Sequence, residues 1–556
     1  MKYGPIRATV SQETIAKVTR LFNGSLEDIL GELFQNARRA GASAIAVDVR
    51  PGAQDFRITI ADDGCGIDDP ARVIALGASQ WSDAVATGED PAGMGAFSLA
   101  GRATIIESRA VSSSLGWKIE IPADGWTGER DIAVQSAERP VGTTITFEAS
   151  GLHESAIHNA VTEAAQFLPI PVSYAGVLQP RKDFLAGAVL VEEWNGSRIG
   201  IFKGQAYHRI PTVNFHGVTL YHKLFGLHEI AGGQIHARID IGTTPTLQLV
   251  LPARKEFVEN EGLSELKQAC EAACYRAIAA QETHSLSFAG YERARELGID
   301  INEAAASLRS WEPDIADSGS GMGAGSPRAI DGDEFLVNEY EAHFGQAIAR
   351  ALEKQPLRKK LVERVCAYEG YSWYDRLREL RDAKFKVVVG DVTHIVDDIS
   401  AQPPLPRTTE AEHIELEYTI DEQGANTRES ESVPADLVFT FPDGYCSDGL
   451  EDVTMAFVRS DKLDPATLVE ILDQACFSAW EDGEADSWDT QHDRFRRDAR
   501  EFAFRVLVGE DAAIASQFRD AVARIMWTLP KGKKIEIAFT HDSPIDVVIS
   551  DCTVPA

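Results

Sequence analysis

The chain is short of positive charge, of cysteine and of long apolar runs. Its 54 lysines and arginines stand against 86 aspartates and glutamates, a formal charge of −32, and more than half of that excess falls in the last third. A field of that sign opposes non-specific nucleic-acid binding, although a local basic groove could survive inside it. Seven cysteines are scattered through 556 residues with no Cys-x-x-Cys pair. Cys270 and Cys274 stand one helical turn apart among alanines, which suits core thiols better than a metal pair. An odd set without framework spacing indicates a reducing compartment. His-Glu-x-x-His is absent and no histidine clusters with the cysteines, so no structural zinc is expected. No stretch approaches bilayer-spanning length, and Met1 to Arg7 has no apolar signal core. The expectation is a cytoplasmic protein with no membrane partner and, by length, about three or four domains.

What is present is concentrated between Ser25 and Gly101. Ser25 and Asp28 have capping-box spacing, so a helix should start there. Leu26, Ile29, Leu30, Leu33, Phe34 and Ala37 follow at helical intervals and form its apolar face. Glu32, Asn36 and Arg39 share a stripe on another side. A carboxylate one turn from an amide oxygen could place a water and a hard cation together, although a solvated helix face has the same look. Next, the alternating segment Phe56 to Ala61 runs as a strand into Asp62, Asp63, Gly64, Cys65 and Gly66. The two glycines permit a sharp turn and the approach of a flat group, and Asp62 could accept a hydrogen bond from an exocyclic amine. An ordinary Asp-Gly turn is the alternative. Third, Gly93, Met94 and Gly95 precede Ala96 and Phe97, which suit a helix start. Glycine-rich backbone opening a helix presents N–H groups to phosphate.

The three strings in this order, joined by Gly142-Thr143-Thr144, resemble the motifs of the GHKL ATPase superfamily of gyrase B, heat-shock-ninety chaperones, histidine kinases and MutL. The likeness is strong over roughly the first 150 residues and weak over about the next 130, and Glu32 to Ala42 is most similar to MutL-type proteins. The resemblance implies ATP and Mg²⁺ as cofactors. Glu32 would be the general base, Asn36 the Mg²⁺ ligand, Asp62 the partner of the adenine amino group with Gly64, Gly66 and Thr143 lining that end, and the backbone of Gly93, Met94, Gly95, Ala96 and Phe97 would wrap the phosphates. The presence of Glu32 favours hydrolysis over phosphotransfer, and no phosphoacceptor helix precedes the domain. Two positions depart from the pattern. Arg39 stands where relatives often carry an acid, and pairing with Glu32 would make that carboxylate a poorer base. Asp63 stands where relatives often carry Asn.

The expected organisation is α+β in four parts. Residues 1–150 form a Bergerat-type sandwich, a mostly antiparallel mixed sheet with helices on one face; 151–283 a transducer-like α/β domain; 284–400 a helical region with a flexible linker at 316–330; and 401–556 an acidic α+β domain. A β-hairpin is expected around Pro51-Gly52. An N-terminal helix at 11–22 could exchange with a second subunit, and residues 77–91 have lid composition. A strand Leu247 to Leu251 should lead into a helix opening at Pro252, where Arg254 or Lys255 resembles the residue that senses the γ-phosphate in relatives. Helix is expected over 281–312 and 333–383. The glycines of 317–327 lack the Gly-Lys-Ser/Thr of a phosphate loop, and the acidic run from Glu481 to Asp489 suits a solvated loop better than a Ca²⁺ site. The functional expectation is an ATP-driven switch, homodimeric through its N-terminal domain, acting on an unknown protein client. The alternatives are a MutL- or MORC-like DNA clamp and a non-hydrolysing scaffold.

Overall fold

A computed structural model describes residues 25–52, 55–75, 95–127, 130–204, 210–250, 256–317, 325–422, 428–441, 450, 453–460, 462–479, 486–523, 525–528, 532–538 and 546–551. The expected N-terminal helix, the lid candidate, Gly93, Met94, Arg254, Lys255, residues 318–324 of the Gly-rich linker and residues 481–485 lie outside them. The chain divides into two compact units, Met1–Ala304 and Ala305–Ala556.

The first unit opens with helix α1, Leu26–Arg39. The Ser25 side chain accepts from the Asp28 N–H while Asp28 accepts from the Ser25 N–H, so the expected capping box is formed. Its apolar face is buried, and Leu30 and Phe34 are fully so. Each such side chain contributes roughly 1.5–3 kcal/mol by leaving water. The face packs on an eight-stranded sheet ordered β5-β4-β3-β6-β2-β1-β7-β8. These strands are β1 Ile45–Gly52, β2 Asp55–Asp62, β3 Thr104–Arg109, β4 Gly116–Ile121, β5 Val134–Ala137, β6 Gly142–Ala149, β7 Val172–Tyr174 and β8 Val177–Leu178. All neighbours are antiparallel except β1 and β7. Helix α2, Glu154–Ala165, shares one core with α1 and the sheet. The hairpin reverses after Gly52, not at it, because Pro51 pairs with Phe56 and Gly52 with Asp55. Pro51 lies beyond the Ile45–Val47 stretch that β7 pairs, so on that side its missing N–H forfeits nothing.

A second sheet, ordered β12-β11-β14-β10-β9 with β13 also on β14, follows in the same unit. Its strands are β9 Leu190–Trp194, β10 Ser197–Lys203, β11 Val213–Phe215, β12 Val218–Leu220, β13 Gly226–His228 and β14 Gln234–Ile241. Helix α3, Glu261–Ala279, covers it and buries Cys270 and Cys274. α3 begins later than expected, because the Asn260 side chain caps it by accepting from the Leu263 N–H at 2.9 Å. In place of the expected strand at 247–251 the described residues hold one bridge, Leu249 to Phe257. Over 281–312 the helix is only α4, Phe288–Glu296.

The second unit corrects the helical expectation for 333–383. Within 333–383 the one α-helix is α5 Ala342–Leu352, among strands β17 Phe335–Val337, β18 Leu361–Glu363 and β19 Arg378–Val389. β19 runs parallel to β17 and antiparallel to β20 Val392–Val396 and β23 His413–Glu422. A three-stranded sheet including β25 Leu437–Thr440 and β26 Thr454–Phe457 packs with helices α6 Pro465–Cys476 and α7 Trp488–Leu507.

Candidate functional site

Helix α1 gathers the sequence motifs. Glu32 and Asn36 lie on it one turn apart, both half-buried, beside the fully enclosed apolar face. The Arg39 guanidinium donates to Asn36 Oδ1 at 3.4 Å. An amide oxygen has two lone pairs, so Asn36 keeps acceptor capacity for a cation beside that contact.

The loop after β2 is fastened to the end of α1. The Cys65 N–H donates to the Ala40 carbonyl at 2.8 Å. A Cβ on Gly64 would stand 2.7 Å from that of Ala40, so only glycine allows the loop so close to the helix. Gly66 has φ +69°, and a Cβ there would meet the Arg109 carbonyl oxygen at 2.0 Å. These glycines bring Asp62 to the junction of β2 and β6, where it pairs in register with Thr143. The Gly64 N–H donates to Asp62 Oδ1 at 2.9 Å. Burial pushes the Asp62 carboxyl above its ordinary value, while the Gly64 and Thr143 N–H groups and Arg139 pull it back and Asp63 adds to the rise. The result is a half-buried acceptor beside two glycines, which fits a ligand bringing an N–H.

Ser108 organises this end and was not anticipated from the sequence. It is fully buried on β3, opposite Thr143. Its hydroxyl accepts from the Ile67 N–H at 2.8 Å, donates to the Gly142 carbonyl at 3.1 Å and lies 3.0 Å from Thr143 Oγ1. Trp117 Nε1 fixes the same loop through the Ile67 carbonyl at 2.8 Å. The available signal was a serine at an inward position of the alternating segment Thr104–Arg109. Asp63 acts locally. Its carboxylate accepts from the Ser43 and Ala44 N–H groups at 2.7 and 3.1 Å and from the Ser43 hydroxyl. That last bond, first among the causes, holds its pKa below the ordinary value.

The third motif enters the described residues at Gly95. Gly95–Leu99 is a short 3-10 helix packed against α1, not the first turn of an α-helix. Ala96 is half-buried, and Phe97 turns its ring into the core edge-to-face with Trp126 at 5.8 Å. Any phosphate contact of Phe97 is therefore left to its backbone. The loop that follows Asp62 is thus tied through Gly64 and Cys65 to the end of the helix carrying Glu32 and Asn36, the Gly95–Leu99 turn packs on the same helix, and Thr143 pairs with Asp62 from β6. Among the described residues no group of three or more His, Cys, Asp or Glu side chains could hold a metal.

Residues 23–150 match the family described as Histidine kinase-, DNA gyrase B-, and HSP90-like ATPase. Among solved structures, the Aquifex aeolicus MutL ATPase domain complexed with ADP is 19% identical, covering 33% of this chain and 78% of that one with a TM-score of 0.22. The ATPase domain from the bacterial mismatch repair endonuclease Aquifex aeolicus MutL is 16% identical, covering 44% and 98% with a TM-score of 0.26. No curated protein matches the chain. Residues 23–150 are a domain of the histidine kinase-, gyrase B- and HSP90-like ATPase family.

Proposed function

We propose that the protein is a Mg²⁺-dependent ATP-binding and ATP-hydrolysing conformational switch, with nucleotide state coupled to a partner-binding C-terminal region. The observation that carries this reading is the convergence of the three motifs on α1. Asp62 receives the adenine amino group, beside Thr143 and the glycines that admit a flat base. Glu32 holds the attacking water and takes its proton as general base. Asn36 would supply an amide oxygen to the cation, and the Gly93–Phe97 backbone would donate to the phosphates. A site with so few protein ligands suits Mg²⁺, which would supply charge neutralisation at the phosphate oxygens.

The finer division into 1–150, 151–283, 284–400 and 401–556 belongs to this reading. So does a homodimer through the N-terminal domain, with Arg254 or Lys255 of the 151–283 part as the γ-phosphate sensor. ATP would favour the closed state only through contacts the open state lacks. A DNA clamp is not proposed, since the charge of −32 opposes it.

The test is calorimetric titration of the full chain with ATP and Mg²⁺. Wild type should bind, and Asp62→Asn, which turns an amide N–H toward the adenine amine, should lose about 10- to 100-fold in affinity. Equal affinity of the two proteins would contradict the assignment of Asp62, and no binding by wild type would contradict the function.

A further inference from the structure

Between Glu32 and Asn36 lies a side chain that the site does not use. Gln35 is 1% exposed, and both ends of its amide are engaged. Its Oε1 accepts from Arg38 Nε at 3.2 Å, within α1. Its Nε2 donates to the carbonyl of His216, 181 residues away in the second sheet.

The acceptor sits on a tight turn. His216 and Gly217 join β11 to β12, whose last pair is Phe215 and Val218, and both have positive φ, +55° and +104°. Two positive φ values mark the tight two-residue hairpin turn, in which a non-glycine residue is strained. Contacts on either side hold that strain. A Cβ on Gly217 would lie 3.0 Å from Leu168 Cα, and Leu168 belongs to the core of the first sheet. The Gly217 N–H donates to Asn214 Oδ1 at 2.8 Å. Asn214, 4% exposed, donates to Asp240 Oδ1 at 2.7 Å, and Asp240 accepts from Arg198 at 2.6 Å. Arg198 reaches Asp183 at 3.1 Å. The turn also lines a cavity of about 630 Å³ with Asn214, Arg198 and Asp240, which gives it space to shift.

We propose that Gln35 is a positioning residue for turnover: it ties the Glu32–Asn36 stretch of α1 to the His216–Gly217 turn, so that nucleotide bound at the first sheet is felt at the second. This rests on the function proposed above. A helix is stiff over one turn, so a pull at position 35 moves residues 32 and 36 together. The amide that transmits it is buried, where an exchange of partners with water is not open to it.

The test uses the full chain and Gln35→Met, which keeps side-chain length and removes the donor. Nucleotide affinity, kcat and hydrogen exchange of the Val213–Leu220 amides are measured with and without ATP and Mg²⁺. Wild type should gain protection at Val213–Leu220 on binding. Gln35→Met should bind within about threefold of wild type, lose about tenfold in kcat, and show no nucleotide response at that hairpin. A parallel fall of affinity, kcat and melting temperature would mark Gln35 as structural only and overturn the inference, as would wild-type turnover in the variant. The exchange measurement on wild type decides independently of whether the variant folds: bound nucleotide with no response at Val213–Leu220 refutes the coupling and leaves the proposed function standing. Absence of nucleotide binding by wild type takes down both.

Discussion

Asp62 is held in conditions that work against its own charge. Burial raises its pKa above 3.8, and the two N–H groups and Arg139 recover only part of that rise. A carboxyl whose folded pKa is raised adds stability below the unfolded pKa and loses it as pH rises through the folded one. At neutral pH the ionised Asp62 is therefore a small burden on the fold. Asp62→Asn should melt no lower than wild type at neutral pH while binding nucleotide less well. Wild-type affinity should fall on acidification through a pKa above the ordinary carboxylate value, because protonation removes the charge that strengthens the bond from the adenine amine and places an O–H on one of the two carboxyl oxygens. Thermal melts and titrations across the acid range check both, and a lower-melting Asp62→Asn would contradict the account. Asp62, Gly64, Gly66 and Thr143 were legible in the sequence because each sits in a short contiguous string. Ser108 was not, because its hydrogen bonds to Ile67, Gly142 and Thr143 exist only once β3 pairs with β6. The bonds of Asp63 to Ser43 and Ala44 were hidden in the same way.

At the scale of elements, α1 was readable because its cap and its apolar period agree with each other. The first half of β19 misled because Arg378, Glu379 and Arg381 look like the charge pattern of a helix. In the fold those charges answer partners outside the strand as well. Glu379 is fully buried, accepting from Arg364 at 2.7 Å and from Arg381 at 2.5 Å, and Lys384 faces Glu417 on β23. Strand preference is set by such neighbours more than by the residues themselves. Helix α5 carries a titration that can be measured. His343 packs edge-on against Phe441, and burial lowers its pKa from 6.5 to about 4. A histidine with a depressed folded pKa gives stability that is present above the unfolded pKa and lost as pH falls through the folded one, here a window from 6.5 to about 4. The full effect is on the order of 3 kcal/mol. His343→Leu should flatten the loss of stability of the second unit across that window, as followed by denaturant unfolding, and an unchanged pH slope would contradict the buried neutral imidazole.

The whole molecule is two compact units with the ATPase-family domain confined to the first. Heating should produce two calorimetric transitions, and ATP with Mg²⁺ should raise one of them. At a ligand excess of about 100 times Kd the gain is about 2.7 kcal/mol. A single transition that moves as a whole would mean that the units unfold as one. The charge of −32 over the whole chain opposes non-specific nucleic-acid binding. The central claim is that Glu32 and Asn36 on α1 turn bound ATP over. Steady-state hydrolysis with Mg²⁺, in wild type and Glu32→Ala of equal nucleotide affinity, tests it most directly. Wild type should hydrolyse and Glu32→Ala should be slower by about 100-fold or more. Two proteins that both bind ATP and turn it over at the same rate, or not at all, would show that Glu32 is a structural carboxylate and contradict the account.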